Sequence, residues 1–374
     1  MATSQAEKGE NDLKLLENRN ILPLMDGNKP WEERRKELLN ILATYEYGFT
    51  PEKPKIWHVD VITEDKNAFA GKATQQWLKF YFTSPGGMYF FYFYLVTPNK
   101  KENVPTFLHL NFRKDIPDRY QPTEEILDRG YAICTICYND VVPDSLDSDY
   151  SKGIAQLFEK NNERKKDSWG KIGMWAYAAS CVMDYLETRP EINSEEISVI
   201  GHSRLGKTAL WCGAQDERVY CTISNCSGYG GAAIAKGGTG EKIYMFEDAG
   251  SKDWFCPAFT DYSGKDDEKP YDQHFLLACI APRYLCVGSA EEDWGADPES
   301  EFLSCVAASE AYKALGKTGL KYDGDTMVEV GTALTDGEIG YHLRKGRPFL
   351  SRTDWMYYMD FLDKKRKEKA CETV

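Results

Sequence analysis

Histidine is scarce in this chain: five in 374 residues, namely His58, His109, His202, His274 and His342. Any mechanism that turns on an imidazole has only these to draw on. Long apolar runs are missing as well. The most apolar stretch, Met88 to Thr97, is short and aromatic, well under the roughly 18 residues of a membrane span, so no membrane partner is expected. The start, Met-Ala-Thr-Ser-Gln-Ala-Glu-Lys-Gly-Glu, has neither the basic end nor the apolar segment of a secretion signal, which fits a cytoplasmic protein and the mature form of a secreted one equally. Positive charge is in deficit. Lysine and arginine number 46 against 59 acids, a formal charge of −13, which argues against a nucleic-acid partner. Metal-ligand spacing is nearly absent: Cys134-Thr-Ile-Cys137 has no second pair and falls in a strand-like run, so it reads as core and no metal or cofactor is expected. The eleven cysteines are odd in number and mostly sit in apolar segments, as reduced cysteines do.

What is present is ample core material, 42% hydrophobic and 13% aromatic residues. Residues 1–12 are polar and expected to be flexible, and a helix with proline in its first turn follows over Pro30–Leu39. Trp57–Ile62, Gln76–Phe82 and Met88–Val96 alternate or are aromatic, with Pro85-Gly86-Gly87 as a turn, and predict antiparallel strands. From Val104 short apolar strands alternate with helices: strands Thr106–Leu110, Tyr131–Cys137, Ile197–Ile200 and Tyr220–Ser224, with helices Thr123–Leu127, Trp169–Leu186 and Arg204–Gly213 between or after them. Such interleaving predicts a mostly parallel sheet covered on both faces. The rhythm breaks over 228–272, read as an inserted cap or loop region. It resumes with helix Gln273–Cys279, strand Tyr284–Val287, helix Ser300–Leu315 and a terminal helix Trp355–Lys364. No repeat or linker composition divides the chain, so 1–374 is expected to be one domain; a monomer is expected as well.

The most informative segment is Ile197-Ser198-Val199-Ile200-Gly201-His202-Ser203-Arg204-Leu205-Gly206-Lys207. An apolar strand runs into Gly-x-Ser and a helix follows, the arrangement of a nucleophile elbow in an α/β-hydrolase three-layer sandwich. There Ser203 would be the nucleophile, and the N–H of Arg204 at the helix start would meet a developing oxyanion. The second glycine comes one residue late, at Gly206. This fold orders its triad as serine, acid, histidine. Only His274 and His342 follow Ser203; His274 precedes the strand that should present the acid and reads as structural, whereas His342 is expected in a loop between the last strand and the last helix, as the general base. The acid is expected in Glu291-Glu292-Asp293-Trp294, with Asp293 ranked first, Glu292 second and Glu291 at a solvated tip.

These residues resemble a known family. Gly201-His202-Ser203-Arg204-Leu205-Gly206-Lys207 is similar to the Gly-Cys-Ser-Arg-x-Gly-Lys elbow of the glucuronoyl esterases, carbohydrate esterase family 15. The resemblance continues through Ser227-Gly228-Tyr229-Gly230-Gly231, Gly240-Glu241, Asp272-Gln273-His274, Glu292-Asp293, Asp297-Pro298 and Gly340-Tyr341-His342, about residues 30 to 370. It implies hydrolysis of esters between a glucuronic acid carboxyl, usually 4-O-methylated and borne on xylan, and an alcohol such as those of lignin. Ser203 would attack, His342 would act as base and then acid, Arg204 would stabilise the oxyanion through side chain and N–H, and Lys207 and Glu241 would bind sugar hydroxyls. Three departures stand out. His202 replaces the cysteine before the serine. Cys226 stands where fungal members carry the acid, which directs that role to Asp293. Trp294, matching a substrate-contacting tryptophan, is displaced by one residue, with Gly295 in its place. Elsewhere Phe107–Phe112 resembles the family's Leu-Asn-Phe segment, but Arg113-Lys114-Asp115 follows instead of glycine-asparagine-histidine. The expected partner is a uronic-acid ester or decorated xylan oligosaccharide. An acetyl xylan or feruloyl esterase of the same fold, and a non-catalytic carbohydrate-binding descendant, remain open.

Overall fold

Short, largely apolar strands interleaved with helices end up covered on both sides, and the computed structural model bears this out. It describes residues 14–372 except 28, 85, 100, 146–148 and 159–163; the stretch 1–12 expected to be flexible lies outside the described residues. Buried from end to end are β4 (Val104–Asn111), β5 (Ala132–Cys137), β7 (Cys221–Asn225) and β10 (Ile339–Arg344). With β6 (Ile192–His202) and β8 (Tyr284–Ala290) they form a parallel array. Long antiparallel strands β1 (Ile56–Asn67), β2 (Ala73–Ser84) and β3 (Gly87–Pro98) extend one edge, and the short β9 (Ala333–Leu334) closes the other. The order is β1-β2-β3-β5-β4-β6-β7-β8-β10-β9. In β2 and β3 burial alternates: Leu78, Phe80, Phe82, Phe91 and Phe93 are buried, while the residues between them are more exposed.

Helices cover both faces, as a βαβ rhythm requires. The larger core lies under Lys171–Leu186, Arg204–Gln215, Gln273–Ala278 and Pro298–Ala314, with Trp175 and Trp211 fully buried. The opposite face is covered by Thr123–Asp128 and the terminal helix Arg352–Glu372, with Phe107, Ile200, Ile223 and Trp355 between. The 228–272 segment holds a short helix, Ile243–Asp248, and 3-10 turns at Lys252–Trp254 and Pro257–Tyr262. Cys134 and Cys137 are buried and free in β5. Among the described residues there is no acidic, cysteine or histidine cluster that could hold a metal, and no helix is long and apolar enough to cross a membrane.

One expectation is corrected. His342 lies inside β10 instead of in a loop after it, because the alternation of that strand continues through Leu343 and Arg344. Tyr341 faces Phe302, ring centroids 5.2 Å apart. Gly340 and His342 face the terminal helix: a side chain at Gly340 would meet the Phe361 ring at 2.9 Å, and His342 packs on Tyr358 at 5.1 Å.

Candidate active site

Strand β6 delivers Ser203 to a turn of unusual backbone geometry. Its φ of 55° and ψ of −126° lie where non-glycine residues are rarely found, a conformation that persists only when the surroundings impose it. They do. Ser203 N–H donates to the Asn225 carbonyl at 2.9 Å, and the Ser203 carbonyl accepts from Gly206 and Lys207 N–H at 2.8 and 3.1 Å. Gly201 permits the sharp turn, since a Cβ there would come 2.1 Å from the Leu205 oxygen, and a Cβ at Gly206 would meet Ser227 Cβ at 3.0 Å. The displaced glycine therefore serves packing of the helix against the β7 loop. The first N–H groups of the helix that follows, Arg204's among them, have no acceptor within it and suit an oxyanion.

Charge gathers on the β7 side of Ser203. Lys207 is buried, donates from Nζ to the Ser227 carbonyl, and lies 3.6 Å from Glu241 Oε2. Glu301 holds the loop beneath them, accepting from Ser227 N–H at 2.8 Å, Gly228 N–H at 2.9 Å and Ser289 Oγ at 2.6 Å; burial pushes its carboxyl up to about 7. Asp293 accepts from Ala296 N–H at 3.2 Å and from the Cys226 thiol. Burial raises its carboxyl, nearby Glu241 adds to the rise, and Lys207 opposes it. Arg204 pairs with Asp144, which also accepts from Trp254 Nε1 at 2.8 Å, and its guanidinium lies 4.3 Å from the Trp254 ring and 5.7 Å from Phe112. Trp294 is 80% exposed.

The expected triad is not assembled. His342 Nε2 donates to Asp354 Oδ1 at 2.8 Å, and makes no hydrogen bond to Ser203, Asp293 or Glu292. Glu292 lies instead 3.8 Å from exposed Arg347. Register gives the reason. His202 pairs with Asn225, Asn225 with Gly288 and Gly288 with His342, so three strand spacings, about 14 Å, separate His342 from the residue before the nucleophile. Its side chain also faces the terminal helix, where it packs on Tyr358. The other four imidazoles are occupied or remote: His58 on the edge strand β1, His109 on Gln121 at 2.8 Å, His274 on the Leu22 carbonyl at 2.9 Å, and His202 on Asn225 Oδ1 at 2.7 Å. Burial holds His202 down at about 4, so it is neutral near pH 7. The loop that returns from β10 toward β6 carries Arg347, Pro348 and Phe349, and Phe349 lies on Tyr120 at 4.4 Å.

A serine elbow flanked by a buried lysine and a glutamate fits an esterase of a polyol acid, and comparison with known proteins agrees. A family model described as "Glucuronyl esterase, fungi" matches residues 94–316. The curated Carbohydrate esterase MZ0003, from an unknown prokaryotic organism, is 34% identical and the match covers 91% of this chain and 88% of that one. The chain belongs to the glucuronoyl esterase family. A 4-O-methyl-glucuronoyl methylesterase of Schizophyllum commune is 26% identical over 76% of this chain and 69% of its own. The solved glucuronoyl esterase from Solibacter usitatus superposes with a TM-score of 0.82 at 32% identity, covering 91% of this chain and 94% of that one. The named members of the glucuronoyl esterase family are carboxylic ester hydrolases, so this chain is one by family, on an α/β-hydrolase fold.

In this member of the family, Ser203, Arg204, Lys207, Glu241 and Asp293, all expected from the sequence, lie at one end of the sheet. Sequence reasoning missed Asp144, Trp254, Glu301 and Asp354. Nothing in the local pattern marks the first three, whose partners are distant in sequence. Asp354 had a signal: Ser351-x-x-Asp354 reads as a capping box, and Ser351 Oγ and N–H donate to Asp354 Oδ2 at 2.6 and 2.7 Å.

Proposed function

We propose that the protein cleaves esters of glucuronic acid, including the 4-O-methylated sugar on xylan oligosaccharides, at Ser203 through an acyl-enzyme. The observation that carries this reading is the strained serine placed beside the buried Lys207 and its half-exposed partner Glu241. Ser203 Oγ attacks the uronoyl carbonyl carbon, and the Arg204 N–H takes the developing negative oxygen. The carbonyl re-forms as the alcohol departs carrying the proton that Ser203 Oγ gave up, leaving a uronoyl-serine ester. Water then attacks that ester, returning Ser203 and a free uronate. Lys207 donates to sugar hydroxyls and Glu241 accepts from them, which fixes the ring relative to the serine.

Turnover is expected to be slow, because no imidazole is bonded to Ser203. Loss of the histidine from a triad hydrolase costs on the order of 10⁶ in kcat, and the small rate expected to remain here passes through Ser203. The same geometry favours a second reading, uronate-ester binding without turnover. Hydrolysis of benzyl glucuronate, followed with wild type and Ser203→Ala, separates the two. Activity abolished by Ser203→Ala is expected. Wild-type protein that binds the ester and leaves it intact would establish the second reading.

A further inference from the structure

Hydrolysis by the route above turns a neutral uronoyl ester into a uronate anion, and two cations lie on the helix that starts at the serine releasing it. A free arginine would hold that anion through two parallel N–H donors. Here each cation already has an acid. Lys207 Nζ donates to the Ser227 carbonyl and lies 3.6 Å from Glu241 Oε2. Arg204 Nη1 donates to Asp144 Oδ2, and the Asp144 side chain is nearly buried. Asp144 is fixed in its turn. Its N–H donates to Asn139 Oδ1 at 2.9 Å and its Oδ1 accepts from Trp254 Nε1 at 2.8 Å, the same tryptophan whose ring lies 4.3 Å from the guanidinium.

A guanidinium grips a carboxylate along one of two edges, Nη1 with Nη2 or Nε with Nη2. Asp144 occupies Nη1 and closes the first edge; Nε is buried and has no hydrogen-bond partner, which closes the second. Nη2 is left, a single donor. One donor suits one oxygen, such as an ester carbonyl or an oxyanion, and gives a carboxylate only half of the contact it can make. We infer that Asp144 is a specificity-determining residue that keeps Arg204 from two-point carboxylate binding and so favours the neutral ester over the uronate product, an inference that rests on the uronoyl-ester reading above. Its charge acts in the same sense. An acid held against Arg204 repels a second carboxylate and leaves an uncharged ester unaffected, which is discrimination by a repulsive element.

The test needs no turnover. Ser203→Ala protein is titrated calorimetrically with methyl glucuronate and with sodium glucuronate, then again with Asp144→Ala added; Asp144→Asn, which keeps the shape, replaces the alanine variant if that one does not fold. The ester is expected to bind at least about tenfold more tightly than the acid. Asp144→Ala should tighten the acid about tenfold, the scale of one charge-assisted hydrogen bond, and leave the ester within about twofold. Glu292→Gln removes an acid that is not bonded to Arg204, and should leave the affinity for the acid within about twofold. Acid that binds as tightly as ester before position 144 is changed, a ratio that Asp144→Ala leaves unmoved, or an equal shift from Glu292→Gln overturns the inference. Wild type that hydrolyses benzyl glucuronate in any of those cases keeps the uronoyl-ester reading. Ser203→Ala protein that binds neither compound overturns both.

Discussion

His342 and Asp354 are joined at 2.8 Å across the interface between β10 and the terminal helix. Asp354 is fully buried and accepts from Arg344 Nε at 2.9 and 2.8 Å and from Ser351 as well, so one carboxylate ties a strand, a helix start and the loop between them. Arg344 in turn donates to the carbonyls of Lys345, Arg347 and Phe349. Burial pushes the Asp354 carboxyl up, but His342 and Arg344 outweigh it and hold it below the usual range. The imidazole that chain order offers to the serine is thus a structural member of this cluster.

Removing Asp354 should therefore cost stability. Asp354→Ala leaves Arg344 buried with no carboxylate, a loss of about 3–5 kcal/mol, whereas Glu292→Ala, on a half-exposed side chain, should stay within about 0.5 kcal/mol. Urea unfolding of the two variants checks this. Equal midpoints would mean that the cluster contributes nothing to the fold.

Glu301 should leave a signature in pH. Its folded pKa is about 7 against an ordinary 4.5, so between those values the folded chain holds a proton that the unfolded chain has lost. Stability contributed this way falls as pH rises from about 4.5 to 7, and the full cost is present above 7. Glu301→Gln removes that dependence. The unfolding free energy of the variant relative to wild type is expected to rise between pH 5 and 7.5, and a flat difference would contradict the neutral, buried carboxyl.

Glu241 is half-exposed beside Lys207, and the proposed function assigns it a sugar hydroxyl rather than a part in the core. In a Ser203→Ala background, Glu241→Gln should weaken methyl glucuronate binding about tenfold, the scale of one hydrogen bond to a charged group, with the melting temperature nearly unchanged. Calorimetric titration reads the first and a thermal scan the second. Unaltered affinity would remove Glu241 from the sugar site.

How much of this was legible in the sequence depends on distance along the chain. The elbow was, because strand, Gly-x-Ser and helix are contiguous and each has a local cause. The parallel sheet was too, since the strands that became β4, β5 and β7 are short, largely apolar or small, and interleaved with helices. His342 was misplaced because chain order says which element follows which, and not how many strands stand between them. The three-strand separation from Ser203 is visible only in the register. Asp354 escaped because its capping box was not read as a partner for a histidine twelve residues earlier.

The most direct test compares initial rates of benzyl glucuronate hydrolysis, per mole of folded protein, for wild type, Ser203→Ala and His342→Gln. Ser203→Ala should abolish the enzymatic rate, while His342→Gln should stay within about threefold of wild type, since an imidazole outside the reacting atoms supplies no transition-state interaction. A His342→Gln rate as low as that of Ser203→Ala would contradict this and make His342 the base.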